Sequence, residues 1–289
     1  MITSTSNQQM KNLTLLMKKA KARNEQGVFV AEGRKMFLEA PVDWVKQVYV
    51  SESFYEACTQ GNMQDGMKSY TQKHGEENLN RKVLERLDKT GYEVVADNVF
   101  KSVSDTQTPQ GILCVIKKPE YELEELLKGE QTHLLILESI QDPGNLGTMV
   151  RTGEGAGITG VIMNKTTVDL FNPKTIRSTM GSIYRVPFFI TKDLPGTVLS
   201  LKEQQVNVYA AHLKGTLSYD EPDYKKKTAF LIGNEGNGLS DEIADLADTY
   251  IKIPMQGQVE SLNAAISASL LMYETGRQRR HGSTIKMER

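Results

Sequence analysis

Cysteine is scarce in this chain: Cys58 and Cys114 are the only two in 289 residues. There is no C-x-x-C and no Cys/His cluster, so neither a disulfide framework nor a zinc site is legible, and both thiols are expected reduced and partly buried. Long apolar runs are missing as well. The longest, such as His133-Leu-Leu-Ile-Leu and Ala229-Phe-Leu-Ile, are strand-sized, far short of the roughly 20 residues of a membrane span. The N-terminus, Met1-Ile-Thr-Ser-Thr-Ser-Asn-Gln-Gln, has neither a basic n-region nor an apolar h-region, so it does not read as a secretory signal and the expected compartment is the cytoplasm. An excess of one charge is lacking too. The net charge is -1, which demands no acidic or basic partner for the chain as a whole. G-x-x-x-x-G-K-[ST], H-E-x-x-H and G-x-S-x-G do not occur, which leaves nucleotide hydrolysis, zinc proteolysis and hydrolase-type acyl transfer unsupported. The four histidines, His74, His133, His212 and His281, lie far apart and form no local pair.

What is present is ordinary globular composition: 39% hydrophobic and 25% charged residues, with a mean hydropathy of -0.41. At roughly 150 residues per domain the length predicts two domains. Local charge says more than the total. From Lys11 to Lys35 seven basic residues (Lys11, Lys18, Lys19, Lys21, Arg23, Arg34, Lys35) face two acidic ones (Glu25, Glu32). Such a stripe suits phosphate contacts with salt-dependent binding, and it equally suits a solvated helix face.

Along the chain, Met10, Leu13, Leu16 and Met17 predict an amphipathic basic helix over 9–23. A short strand at Gly27–Gly33, a helix at Lys35–Ala40 and a strand at Val45–Val50 follow, then a polar stretch from Gly61 to Asn80. Short elements are expected at Val83–Asp88 and Val99–Val103, and an apolar strand at Gly111–Lys117. The predicted organisation is an N-terminal α/β domain over 1–118, a glutamate-rich linker over 119–130 and a second domain over 131–289. The second half alternates strand and helix. Strands are legible at Leu134–Leu137, Gly160–Met163, Val186–Ile190, Val206–Ala210, Ala229–Ile232 and Tyr250–Ile253. Helices are expected around 146–154, 173–180, 197–204 and 239–247, with a last one from Leu262 to about Gly276. This alternation predicts an α/β domain with a parallel sheet, whose ligands gather at the loops beyond the carboxyl ends of the strands. Gly155-Ala-Gly-Ile-Thr-Gly160 matches G-x-G-x-x-G but follows a helix and precedes a strand, the reverse of a dinucleotide fingerprint.

Three of those loops carry polar residues beyond what turns need. The first runs from Leu137 to Arg151, with Asn145 as the expected N-cap and Arg151 one helical turn beyond Gly147. Arg151 there fits phosphate or hydroxyl recognition and an ordinary surface charge equally well. The second, Phe230-Leu-Ile-Gly-Asn-Glu-Gly-Asn-Gly-Leu-Ser240, has glycines that let backbone approach a ligand, and it encloses Glu235, an unusual choice for a turn alone. In the third, Ile251 to Ser269, Pro254 ends a strand, Ser261 is the expected cap of the last helix, and Asn263 stands polar at its mouth.

Taken together, N-x-G-x-x-x-R, L-I-G-N-E-G-x-G-L and I-x-I-P-M-x-G-x-V-E-S-L-N-A-A, in this order, closely resemble the signatures of the SpoU (TrmH-like) RNA 2'-O-methyltransferases of the SPOUT superfamily. The resemblance covers 131 to about 280. The opening half, with Gly27-Val-Phe-Val-Ala-Glu-Gly-Arg, resembles the RNA-recognition domain of many such enzymes. The resemblance implies a deep trefoil knot, against the usual rule on threading, a homodimer whose active site draws on both subunits, S-adenosylmethionine as cofactor and no metal. It places the cofactor on backbone near Gly233, Ile253 and Leu262, and Asn145, Arg151, Glu235, Ser261 and Asn263 at the reaction site. The family assigns deprotonation of the ribose hydroxyl to Arg151; a guanidinium is a poor free base, so its expected role is to orient the hydroxyl and adjacent phosphate, with proton removal only if the site lowers its pKa. The implied substrate is large-subunit ribosomal RNA, contacted by the basic stripe, with transfer RNA as runner-up. A catalytically idle RNA-binding or ribosome-assembly protein of the same fold is the competing class.

Overall fold

The computed structural model describes residues 1–59 and 70–282, without the side chains of 70–78, 281 and 282. Part of the polar stretch from Gly61 to Asn80, and the side chains of His74 and His281, lie outside these described residues. The chain forms two compact units: Met1–Pro119 together with Phe171–Tyr184, and Glu120–Leu170 together with Arg185–Arg289. Among the described residues no helix is long and apolar enough to cross a membrane.

In the first unit, strands β1 (Val28–Glu32), β2 (Val45–Ser51), β3 (Glu93–Val95) and β4 (Ile112–Lys117) form one sheet in the order β1-β4-β2-β3. Met10, Leu13 and Leu16, spaced for one helix face, pack against Val28, Val30, Phe100 and Val115. The single helix predicted over 9–23 is broken. Gln8–Lys18 and Ala20–Gln26 are separate, with Lys19 extended between them. The break lets Arg23 fold back and donate to the carbonyls of Leu16 (2.6 Å) and Met17 (3.2 Å), the open end of the first helix. The segment Phe171–Tyr184 lies late in sequence yet packs in this unit. The Phe171 ring sits 5.1 Å from Phe29, Tyr184 Oη donates to the Met36 carbonyl, and Arg177 pairs with Asp105 at 2.9 Å. Burying two aromatic rings outweighs chain order here. Both cysteines are buried in this unit, and burial pushes their thiols up.

The second unit is built on seven strands: β5 (His133–Leu137), β6 (Gly160–Asn164), β7 (Phe188–Thr191), β8 (Asn207–Ala211), β9 (Leu217–Ser218), β10 (Thr228–Ile232) and β11 (Thr249–Lys252). They lie parallel in the order β7-β6-β5-β10-β8-β11-β9. The central β5 and β10 are buried along their whole length, as a parallel sheet covered on both faces requires. The helix Pro143–Ala156 buries Leu146, Met149 and Val150, and the last helix, Ala264–Gly282, buries Ala265, Ala268, Leu271 and Met272. Because every strand runs the same way, the loops after β5, β10, β8 and β11 emerge on one edge. All three motif loops are there.

Candidate functional site

The helix after β5 starts at Pro143, whose missing N–H costs nothing at the first helical position. Asp142, not Asn145, is therefore the N-cap, its carboxylate accepting the Asn145 amide at 2.8 Å. This corrects the expected cap and frees the Asn145 side chain. Its Nδ2 donates to Glu235 Oε1 at 3.0 Å, and its Oδ1 accepts from Asn263 Nδ2 at 3.1 Å. Three residues from three separate loops thus form one hydrogen-bonded chain.

Glu235 is its anchor. The carboxylate also accepts the backbone amides of Gln141 (2.9 Å) and Asp142 (3.0 Å). Partial burial pulls its pKa upward, but the hydrogen bonds from Asn145, Gln141 and Asp142 outweigh that and hold the carboxyl below its ordinary value. Glu235 stays charged and oriented. Its loop is closed by Asn234, whose Oδ1 accepts from the amides of Gly236 and Asn237 and whose Nδ2 reaches the Ser139 carbonyl. At Gly233 an added Cβ would lie 2.1 Å from the Gly238 carbonyl carbon and the Leu239 nitrogen. That glycine is required for the loop to close on itself.

The third loop corrects a second cap. Asn263, not Ser261, receives the amides of Ala265 (2.9 Å) and Ile266 (3.3 Å) on its Oδ1. An Asn one residue before the helix outcompetes a Ser three residues away, because only the former has its oxygen over the free amides. Asn263 therefore caps with one side-chain atom and donates to Asn145 with the other. Ser261 is exposed, and Ile253 and Leu262 are half-buried. Among the described residues, 253–262 make no backbone–backbone hydrogen bond, so their amides and carbonyls remain open to other partners.

Arg151 stands apart. It lies on the helix of Asn145, about 240° further round the axis, and its exposed side chain has no hydrogen bond or ion pair among the described residues. The structure does not bring it to the chain of Asn145, Glu235 and Asn263. In the first unit, Lys11, Lys18, Lys19, Lys21 and Lys35 are exposed and Arg34 is half-buried, donating to Asn80 Oδ1 at 3.3 Å. Arg23 does not belong with them. Only 3% exposed, it is occupied with helix carbonyls and presents no charge outward. Among the described residues no group of His, Cys, Asp and Glu is placed to hold a metal. The residues missed in the sequence are Asn234, Gln141 and Glu138, the last accepting from the Ser240 amide and hydroxyl. The Asn-x-Gly spacing around Asn234 signals an Asx turn and was the one available clue.

Residues 132–273 match the profile of the SpoU rRNA Methylase family, and residues 7–114 that of an MRM3-like substrate binding domain. The chain is 32% identical over 274 residues to the 23S rRNA (guanosine(2553)-2'-O)-methyltransferase RlmP of Bacillus subtilis, covering 94% of this chain and 97% of that protein. It is 28% identical over 288 residues to an uncharacterized tRNA/rRNA methyltransferase of Synechocystis, covering 98% and 96%. Among solved structures, the AdoMet-bound rRNA methyltransferase from Sinorhizobium meliloti has 29% identity and a TM-score of 0.75 over 97% of each chain.

Proposed function

Since the chain belongs to the SpoU rRNA methylase family, we propose that it transfers a methyl group from S-adenosylmethionine to a ribose 2'-hydroxyl of large-subunit ribosomal RNA. The observation that carries this reading is the hydrogen-bonded chain Asn263–Asn145–Glu235, which joins the three motif loops on the carboxyl edge of the sheet. A fold kept only to bind RNA has no need of it.

The residues present fit the cofactor. The loops after β10 and β11 flank β8 on one edge, and the unengaged backbone of 253–262 supplies the donors and acceptors that an adenosine group takes. Gly233, Ile253 and Leu262 would line it. Bound there, S-adenosylmethionine supplies an electrophilic methyl group on its sulfonium sulfur. The protein's own part is orientation. Glu235 keeps its charge and fixes Asn145, and Asn145 and Asn263 hold the substrate side of the site. Arg151, with a planar fork of donors, orients the hydroxyl and the neighbouring phosphate. Its separation from the network of its own chain supports a homodimer in which Arg151 of one copy completes the site of the other. Exposed lysines at 11, 18, 19, 21 and 35, with Arg34, form the RNA-facing surface of an N-terminal domain over 1–118. The trefoil knot of the C-terminal domain and a cytoplasmic location belong to the same reading.

The test is to incubate the purified protein with methyl-labelled S-adenosylmethionine and unmodified 23S rRNA or transfer RNA, then digest and locate the label. Label on the 2'-oxygen of one 23S nucleotide is expected. Label in transfer RNA alone overturns the substrate, and no cofactor binding with no label overturns the enzyme. Mixing Arg151→Ala with Glu235→Gln protein tests the shared site: partial recovery of transfer is expected, and none counts against it.

A further inference from the structure

Among the described residues three non-glycine residues have left-handed backbone: Ser139 (φ 56°), Met180 (φ 52°) and Gln205 (φ 62°). Met180 caps the helix Pro173–Thr179, and Gln205 follows the end of the helix Leu194–Glu203. A left-handed residue is the common way to stop a helix. Ser139 stops none. It follows β5, where a non-glycine residue pays steric strain with no such return.

Every polar group of Ser139 is used to hold it there. Its amide donates to Asn164 Oδ1 (3.0 Å), and its Oγ accepts from Asn164 Nδ2 (3.1 Å) and shares a hydrogen bond with Thr166 Oγ1 (2.6 Å). Its carbonyl accepts from Gln141 Nε2 and Asn234 Nδ2, both at 2.9 Å. Gln141 Nε2 also reaches the Thr166 carbonyl at 2.9 Å. Two and three residues beyond this turn stand the amides of Gln141 and Asp142 that grip Glu235. Asn234, bonded to the Ser139 carbonyl, is the residue next to Glu235 in the other loop. Both sides of the carboxylate's cradle are therefore referenced to one serine.

We propose that Ser139 is a positioning residue for methyl transfer: pinned by Asn164 and Thr166, its left-handed turn holds the Gln141 and Asp142 amides on Glu235 and so aligns Asn145 and Asn263. The proposal rests on the reading of this network as the reaction site. Ser139→Ala keeps the strained backbone and removes both bonds to Oγ. Amide exchange over 138–142 is expected to quicken roughly tenfold, and kcat to fall roughly tenfold with KM for S-adenosylmethionine unchanged, since misplacement acts on the reacting geometry rather than on binding. In a Glu235→Gln background the same substitution is expected to cost less than about twofold, because the group it acts through is already altered. Unchanged exchange, or an equal tenfold loss in that background, overturns the proposal. Should the alanine variant fail to fold, Ser139→Gly, which adopts this φ without strain, carries the same expectations and the same overturning results. Wild-type transfer is measured first. Its absence counts against the site, whereas amide exchange needs no activity and decides on Ser139 alone.

Discussion

The two ends of the second unit's parallel sheet use polar groups in opposite ways. At the amino end, Thr132, His133 and Thr228 are buried, and Arg279 from the last helix donates to four main-chain carbonyls, those of Gln131, Thr132, Tyr224 and Lys226. Those bonds end on the chain's own backbone, and a ligand finds nothing there to take. At the carboxyl end the bonds run from side chain to side chain through Asn263, Asn145 and Glu235, the first and last exposed and Asn145 half-buried. The backbone of 253–262 stays open. One edge is closed for stability and the other is organised but open, which is what the common strand direction of an α/β sheet permits.

The comparison breaks if substitutions at the two ends have the same kind of effect. The largest is expected at Glu235. Glu235→Gln keeps the size and removes the charge that two amides and Asn145 converge on. Transfer is expected to fall about a hundredfold, as for loss of a preorganised electrostatic contact, with the melting temperature nearly unchanged. A parallel fall in both would mean that the carboxylate is a structural clamp like Arg279.

Arg279→Met is the converse. It removes the guanidinium from all four carbonyls, of which those of Thr132, Lys226 and Tyr224 keep a second donor in Thr228, at a cost of about 2 kcal/mol, a drop of roughly 4–8 °C in melting temperature. Activity per folded molecule should hold. Loss of kcat at a temperature where the variant is fully folded would show that the closed edge communicates with the open one.

His133 sharpens the same contrast through pH. Among the described residues its buried Nε2 has no hydrogen-bond partner, and burial first, then the positive Arg279, lower its pKa to about 3. The folded state keeps it neutral while the unfolded chain protonates below its ordinary value of about 6.5. Its stabilising contribution is thus complete above pH 6.5 and is lost as pH falls toward 3. The loss amounts to about 2 kcal/mol by pH 5. Denaturant unfolding of wild type and His133→Phe at pH 7 and pH 5 checks it: the wild type should lose this increment and the variant should not. An equal slope in both assigns the acid sensitivity elsewhere.

The difference between the ends also explains what the sequence made legible. The strands stand out because β5 and β10 are unbroken apolar runs, and the motif loops because Asn145, Glu235 and Asn263 are polar where turns alone need only glycine. Both caps were misplaced for one reason: capping turns on a single residue of register, fixed by Pro143 in one loop and by Asn263's own oxygen in the other. Arg23 looked like surface charge because the carbonyls it satisfies belong to a helix end exposed only by the break at Lys19. Chain order alone puts Phe171–Tyr184 in the second half, whereas its aromatic contacts are with Phe29 and Trp44. Ser139 gave no sign, since a left-handed serine has no sequence mark that a glycine would have.

The smallest expected effect falls on Asn263, where the two logics meet in one side chain. Its Oδ1 caps the last helix, a stabilising role, while its Nδ2 donates to Asn145, a role in the site. Asn263→Ser keeps a capping oxygen and is too short to reach Asn145. Stability should stay within about 0.5 kcal/mol because serine caps nearly as well. Transfer should fall by the worth of one neutral hydrogen bond, about 1 kcal/mol or roughly fivefold. Asn263→Ala removes both roles, so it should lose the same activity and a further 1 kcal/mol or so of stability. If alanine and serine lose activity to different extents in proportion to their melting temperatures, Asn263 acts on the site only through the helix it caps, and the division between the two edges does not reach this residue.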